Sequence, residues 1–98
     1  MNESLAFLAH REEDSVAVAV RDVDPGSGSV AFLDAERRSE VKALEPIPLG
    51  HKVALVAIPT GSKVIEYGET VGIAKQDINV GEMVHAHNIR SDRWQIKA

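Results

Sequence analysis

No cysteine occurs in the 98 residues, which removes disulfides, zinc–thiolate centres and thiol nucleophiles from consideration and permits a reducing compartment. Aromatic side chains make up only 4% of the chain, so large stacking surfaces are lacking and the core has to be built from Val, Ile, Leu and Ala. A basic excess is missing too. Eleven Lys and Arg face 15 Asp and Glu, and the resulting formal charge of −4 repels nucleic acid and anionic lipid at long range. Neither nucleic acid nor a membrane is expected as a partner. The longest uninterrupted apolar run is Val53 to Ile58, far short of the ~20 residues a spanning helix needs. The opening Met-Asn-Glu-Ser has an acid where a secretory signal carries basic residues, so a cytoplasmic location is the expectation.

What is present suits one small domain over residues 1–98. A pattern recurs: an aliphatic residue, two positions, a glycine, two positions, a valine. It reads Ile47-Pro-Leu-Gly50-His-Lys-Val53, Ile58-Pro-Thr-Gly61-Ser-Lys-Val64 and Ile78-Asn-Val-Gly81-Glu-Met-Val84, and Val23-Asp-Pro-Gly26 opens a looser copy. Glycine permits positive φ and proline presets a turn, so each copy reads as a turn delivering the chain into a strand. The glycine spacings of 24, 11 and 20 are too uneven for a solenoid. Apolar runs between the turns predict short strands at Leu5 to His10, Val16 to Val20, Val30 to Leu33, Val41 to Leu44, Val53 to Ile58, Val71 to Ala74 and Met83 to His87. Tyr67-Gly68-Glu69 reads as a tight turn joining Lys63-Val64-Ile65 to Val71-Gly72-Ile73. Asp34 to Glu40 lacks an apolar stripe and is read as a solvated hairpin tip in preference to a helix. The expectation is a compact, turn-rich, all-β domain.

Few residues offer chemistry. Glu12, Glu13 and Asp14 form a charge run beside a strand start, ordinarily solvated, and the serines lack the strand-to-helix elbow of a nucleophile. Gly26-Ser-Gly28 has no lysine at Walker spacing and reads as a flexible turn. The histidines remain. His85 and His87 are two apart, which on a strand would put both rings on one face and offer a metal or an anion a ligand pair. His51 also follows a turn glycine directly.

Taken in order, Leu8-Ala-His10, Gly50-His51-Lys52, Val64-Ile65-Glu66-Tyr67-Gly68-Glu69, Gly72-Ile73-Ala74 and Gly81-Glu82-Met83-Val84-His85-Ala86-His87-Asn88 resemble the N-terminal small domain of the altronate and galactarate dehydratase family. The likeness runs from about residue 5 to residue 88, leaving 89–98 as a C-terminal tail. It implies an SAF-type β-clip fold and a hydro-lyase setting. In such a setting a divalent metal, iron by expectation, helps remove water from a hydroxy carboxylate by stabilising the enediolate formed when the neighbouring proton leaves. The small subunit of sulfolactate sulfo-lyase, an enzyme that expels sulfite, resembles this chain too. All four histidines, His10, His51, His85 and His87, fall where the family tends to carry histidine. Two departures are Met83, where a further histidine is common, and Glu66, where a lysine is common.

The resemblance thus implies the small subunit of a two-component lyase acting on an anionic hydroxy acid and completed by a large catalytic subunit. The isolated chain, ending at Ala98, is expected to be inactive, and self-association is compatible with this reading. His85 and His87 are the expected metal ligands, with His51 and His10 as further candidates, and Lys52 and Asn88 are the expected substrate-binding residues. Bland readings stand beside these: Asn88 tolerating a left-handed turn, Tyr67 covering the core, Lys52 solvated. Trp94, in the polar tail, reads as an anchor against a partner or the domain edge. The rival from another class is a non-catalytic SAF module that holds a carbohydrate or serves assembly.

Overall fold

The computed structural model describes residues 5–91 and contains nine strands with no helix among them. They are β1 (Leu5–Ala9), β2 (Val16–Ala19), β3 (Gly26–Phe32), β4 (Ala35–Ala43), β5 (Lys52–Ala54), β6 (Lys63–Glu66), β7 (Glu69–Ala74), β8 (Met83–Val84) and β9 (Ile89–Arg90). Six make one sheet in the order β4-β3-β1-β2-β5-β8, and three make a second in the order β6-β7-β9. Every pairing is antiparallel except β1 with β3, which run parallel with Phe7 opposite Val30. The all-β expectation holds.

The scarcity of aromatics shows in the core. Phe7 is the only fully buried aromatic among the described residues, surrounded by small and β-branched residues such as Ala6, Ala19, Val30, Ile47 and Val53. Gly28 makes room for it: a Cβ on Gly28 would lie 2.9 Å from Phe7 Cε2 and 3.0 Å from the Cβ of Ala6. Gly26-Ser-Gly28 is therefore not the expected flexible turn but the start of β3, where a missing side chain lets an aromatic ring pack against backbone. A second cluster, with Val16, Ala54, Ile58, Val64, Ile78 and Val84, joins the two sheets.

The recurring turns share one set of bonds. The N–H of Gly50, Gly61 and Gly81 donates to the carbonyl of Ala19, Ala74 and Ala54, the last residues of β2, β7 and β5. Each alanine N–H donates in return to the residue after the glycine, His51, Ser62 or Glu82. The three glycines have φ of 86°, 84° and 94°, a region costly for any residue with a Cβ. Each copy thus hooks onto a strand end and leaves it in a fixed direction.

Four expectations need correction. The run Val53 to Ile58 is not one strand. β5 stops at Ala54, and Ile58 returns only as an isolated bridge to Ile78. The hairpin tip is confined to Leu33 and Asp34, while Ala35 to Glu40 continue as the charged edge strand β4, paired to β3. Met83 to His87 is a strand only as far as Val84. Finally, the tail does not begin at residue 89, because Ile89 and Arg90 pair with Ala74 and Ile73 as β9. Trp94 lies outside the described residues.

Candidate functional site

His51 leaves the Gly50 turn half-buried, and Lys52 opens β5 directly after it. β5 runs antiparallel to β8 with Lys52 opposite Val84, so the residue after Val84 arrives beside His51. The rings of His51 and His85 lie 5.1 Å apart between centroids, tilted by 51°. The pairing that sequence spacing suggested is thus replaced by another. Residues 85–88 form a turn, in which the His85 carbonyl accepts from the N–H of Asn88 and Ile89, so His85 and His87 do not share a strand face. His87 is exposed and forms no ring contact with the other imidazoles.

Asn88 holds this turn. It is 1% exposed, its Oδ1 accepts from the His85 N–H at 2.9 Å, and its Nδ2 donates to the Met83 carbonyl at 2.8 Å. Asn88 is not left-handed, since Tyr67 is the only non-glycine residue with positive φ among those described. Its carboxamide is committed to positioning His85 rather than turned toward a ligand. Met83 packs against the first core cluster and its N–H donates to Glu45, so it is a packing residue.

Lys52, His85 and Ser91 form the polar side of a cavity of about 270 Å³ whose walls include Val64, Val71, Val84 and Ile89. Lys52 is not simply solvated. Its Nζ lies 3.8 Å from Oε1 of Glu66, whose side chain is only 14% exposed. Glu66 ends β6, and Tyr67 follows it at φ 63° with its ring stacked on His10, centroids 3.6 Å apart and planes within 15°. Tyr67 is 58% exposed and so does not cover the core. His85 with His51, Lys52 with Glu66 and Tyr67 with His10 are three side-chain pairs linked along the backbone by His51-Lys52 and Glu66-Tyr67, a row that gathers motifs from four parts of the chain. Beyond it His10 and Tyr67 border a second cavity of about 340 Å³ with Arg11, Leu33 and Asp34.

Asp14 was missed by sequence reasoning. Far from solvated, it is 2% exposed, and its carboxylate accepts from the N–H groups of Arg11, Tyr67 and Gly68 at 3.2, 2.9 and 3.0 Å. Three donors converging on one buried carboxylate hold the hairpin in a conformation that a tyrosine would otherwise avoid. The signal available was an acid two residues before a strand-like Val-Ala-Val run, too common to single out. Glu12, by contrast, is exposed and pairs with Arg37.

Two buried side-chain nitrogens have no hydrogen-bond partner among the described residues: Nδ1 of His10 and Nδ1 of His51. Such an orphaned imidazole nitrogen suits an ion-binding lone pair, and a metal bound about 2 Å from each of two rings needs them as close as His51 and His85 stand. No three His, Asp or Glu side chains converge to hold a metal among the described residues. The His51–His85 pair fits part of a coordination shell, not a complete one.

A profile of the altronate/galactarate dehydratase SAF domain matches residues 5–92. The chain is 33% identical over 93 residues to the (2R)-sulfolactate sulfo-lyase subunit alpha of Chromohalobacter salexigens, an alignment covering 93% of this chain and 99% of that protein. Against the altronate dehydratase of Bacillus subtilis it is 32% identical, covering 94% of this chain but only 18% of that longer protein. The corresponding subunit alpha of Paracoccus pantotrophus is 50% identical over 48 residues, 49% of this chain and 72% of that protein. With a profile match spanning nearly all of its length, this chain belongs to the altronate/galactarate dehydratase SAF domain family.

Proposed function

We propose that this chain is the small subunit of a two-component lyase that removes water or sulfite from an anionic hydroxy carboxylate, working in the cytoplasm beside a separate large catalytic subunit. The observation that carries the reading is the row running from His85 and His51 through Lys52 and Glu66 to Tyr67 and His10. β-Elimination needs a counter-charge for the substrate carboxylate, a group that takes the neighbouring proton and a group that supports the leaving oxygen or sulfur. Lys52 meets the first need, with an ammonium at the edge of a largely apolar cavity. His51 and His85 are the residues that would hold a divalent metal, iron by expectation. That metal, when bound, supplies Lewis-acid stabilisation of the charge that builds as the proton leaves. Its remaining ligands, and the base, come from the large subunit. His10, braced by Tyr67, is a further proton-handling group at the same face.

The test is reconstitution with the large subunit, followed by metal analysis and turnover of altronate, galactarate and sulfolactate. Replacing His51 or His85 with alanine should lower both metal content and turnover, the latter at least 100-fold, about 2.7 kcal/mol in transition-state terms. His87→Ala should cost less than tenfold, since His87 stands outside the row. Normal metal content and turnover in the His51/His85 double variant would sink the proposal, and a complete absence of turnover in a stable complex would favour a non-catalytic carbohydrate-binding module.

A further inference from the structure

Lys52 is the only lysine or arginine bordering the 270 Å³ cavity among the described residues, and its geometry leaves its donors unspent. The 3.8 Å to Glu66 Oε1 is well beyond the ~2.8 Å of a charge-assisted hydrogen bond. The ammonium keeps three N–H donors for another acceptor while Glu66 offsets part of its charge. Glu66 cannot easily swing away: its side chain is 14% exposed at the end of β6, between Ile65, which is tied to Ser15, and Tyr67, which is tied to Asp14. A ligand carboxylate reaching Lys52 therefore finds one positive charge already shared with a fixed negative one.

We infer that the Lys52–Glu66 pair selects hydroxy acids with a single negative charge and disfavours those carrying a second carboxylate or a sulfonate. A single carboxylate binds the free donors of Lys52. Beyond the metal proposed at His51 and His85, a second anionic group finds no further lysine or arginine among the described residues of the cavity wall, where Val64, Val71, Val84, Ala86 and Ile89 are apolar and Ser91 is neutral. Nor can it move far from the field of Glu66, since a cavity of about 270 Å³ is only about as wide as the ~8 Å over which salt screens charge. Apolar walls screen it poorly as well. Glu66 thus acts as a selectivity residue by opposing the second charge, and Lys52 as the binding residue for the first.

The inference rests on the lyase reading for its substrate class, so the experiment measures both binding and turnover. The reconstituted two-subunit complex is titrated calorimetrically with altronate, which has one carboxylate, with galactarate, which has two, and with sulfolactate, which has a carboxylate and a sulfonate. The kcat/KM of each is measured in parallel. The wild-type complex should favour altronate at least tenfold in Kd over both dianions. Glu66→Gln should narrow that ratio about tenfold, and Glu66→Lys should reverse it, with altronate also bound more tightly but the dianions gaining the most. An altered Kd ratio without turnover of any acid would uphold the selectivity and remove the lyase reading. Turnover with a ratio indifferent to Glu66 would do the opposite. Failure of all three acids to bind would overturn both. Should Glu66→Gln fold poorly in thermal melts, the wild-type preference decides alone: equal or tighter binding of the dianions refutes the selection.

Discussion

Two turns of this protein are near copies with different endowments. Ile47-Pro-Leu-Gly50-His-Lys-Val53 and Ile58-Pro-Thr-Gly61-Ser-Lys-Val64 share five of seven residues. Both isoleucines form reciprocal bridges, Ile47 with Val23 and Ile58 with Ile78. Both turns receive an aspartate on the N–H two residues later, Asp22 on Leu49 and Asp77 on Thr60, each at 2.9 Å. The two copies share a backbone solution, yet only the first carries an imidazole and an ion-paired lysine. Lys63, the equivalent of Lys52, is exposed and forms no ion pair among the described residues. The second copy contributes differently: it launches β6, whose last residue is Glu66, the counter-charge of Lys52. A repeated hook therefore supplies rigidity in both places, and the side chains around one of them supply the chemistry.

The third copy separates backbone demand from crowding. A Cβ on Gly50 or Gly61 would meet nothing within 4 Å, so alanine there costs only the positive-φ penalty, about 1–2 kcal/mol. At Gly81 the same Cβ would run into the Lys42 carbonyl oxygen and come within 3.1 Å of Leu44 Cγ, because Leu44 N–H donates to the Gly81 carbonyl and holds β4 close. Gly81→Ala should then cost about 4 kcal/mol. Urea unfolding of the three single variants decides the matter. Equal losses would mean that the three turns are energetically interchangeable and that the approach of β4 to Gly81 carries no weight.

Turns were legible in the sequence and the row of functional contacts was not, for reasons the glycines make plain. A positive-φ turn leaves a local mark, so Gly50, Gly61, Gly68 and Gly81 all stand where the pattern put them. Strands flanking them were found in kind but misjudged in length, because β5 and β8 stop where the chain leaves to form a hook, and apolar residues such as Val56 continue past that point exposed. The histidines taught the same lesson. A spacing of two suggested His85 with His87, whereas the observed neighbour of His85 is His51, brought there by the pairing of β5 with β8. Nothing local records that register. Lys52 and Glu66 were each visible as charges, but their pairing depends on how the second sheet meets the first.

Asp14 offers the next contrast, against its neighbour Glu12. Both belong to one acidic run, but Asp14 receives three backbone N–H groups in a buried setting and Glu12 sits in an exposed ion pair. Asp14→Ala should cost about 3 kcal/mol by stranding those donors, and Glu12→Ala less than about 1 kcal/mol. The tyrosine held by Asp14 then gives a sharper comparison. Tyr67→Gly removes both the positive-φ penalty and the stack on His10, so stability should stay within about 1 kcal/mol of wild type. Activity of the reconstituted complex should nevertheless fall, with a changed pH profile if Tyr67 braces His10. Unchanged activity in Tyr67→Gly would reduce the strained hairpin to a structural turn.

The smallest effect lies at the hook that carries no imidazole. Asp77 accepts from the Thr60 N–H at 2.9 Å and the Thr60 hydroxyl at 2.8 Å. The backbone bond foremost, and then the hydroxyl, hold its carboxyl below the ordinary aspartate value of 3.8 against a slight opposing effect of burial. A carboxyl whose folded pKa lies below its unfolded pKa stabilises the fold fully above the unfolded value and loses that contribution as pH falls through the folded one. Asp77→Asn should therefore lower the melting temperature slightly at neutral pH, and the difference from wild type should shrink on acidification below 3.8, where the wild-type carboxyl takes up its proton. Thr60→Val should remove part of the same pH dependence, because it deletes the hydroxyl donor and keeps the stronger backbone bond. Melting curves from neutral pH down to about pH 2.5 give the measurement. A gap between wild type and Asp77→Asn that stays constant over that range would show that the carboxylate charge contributes nothing and that the aspartate holds the turn by shape alone.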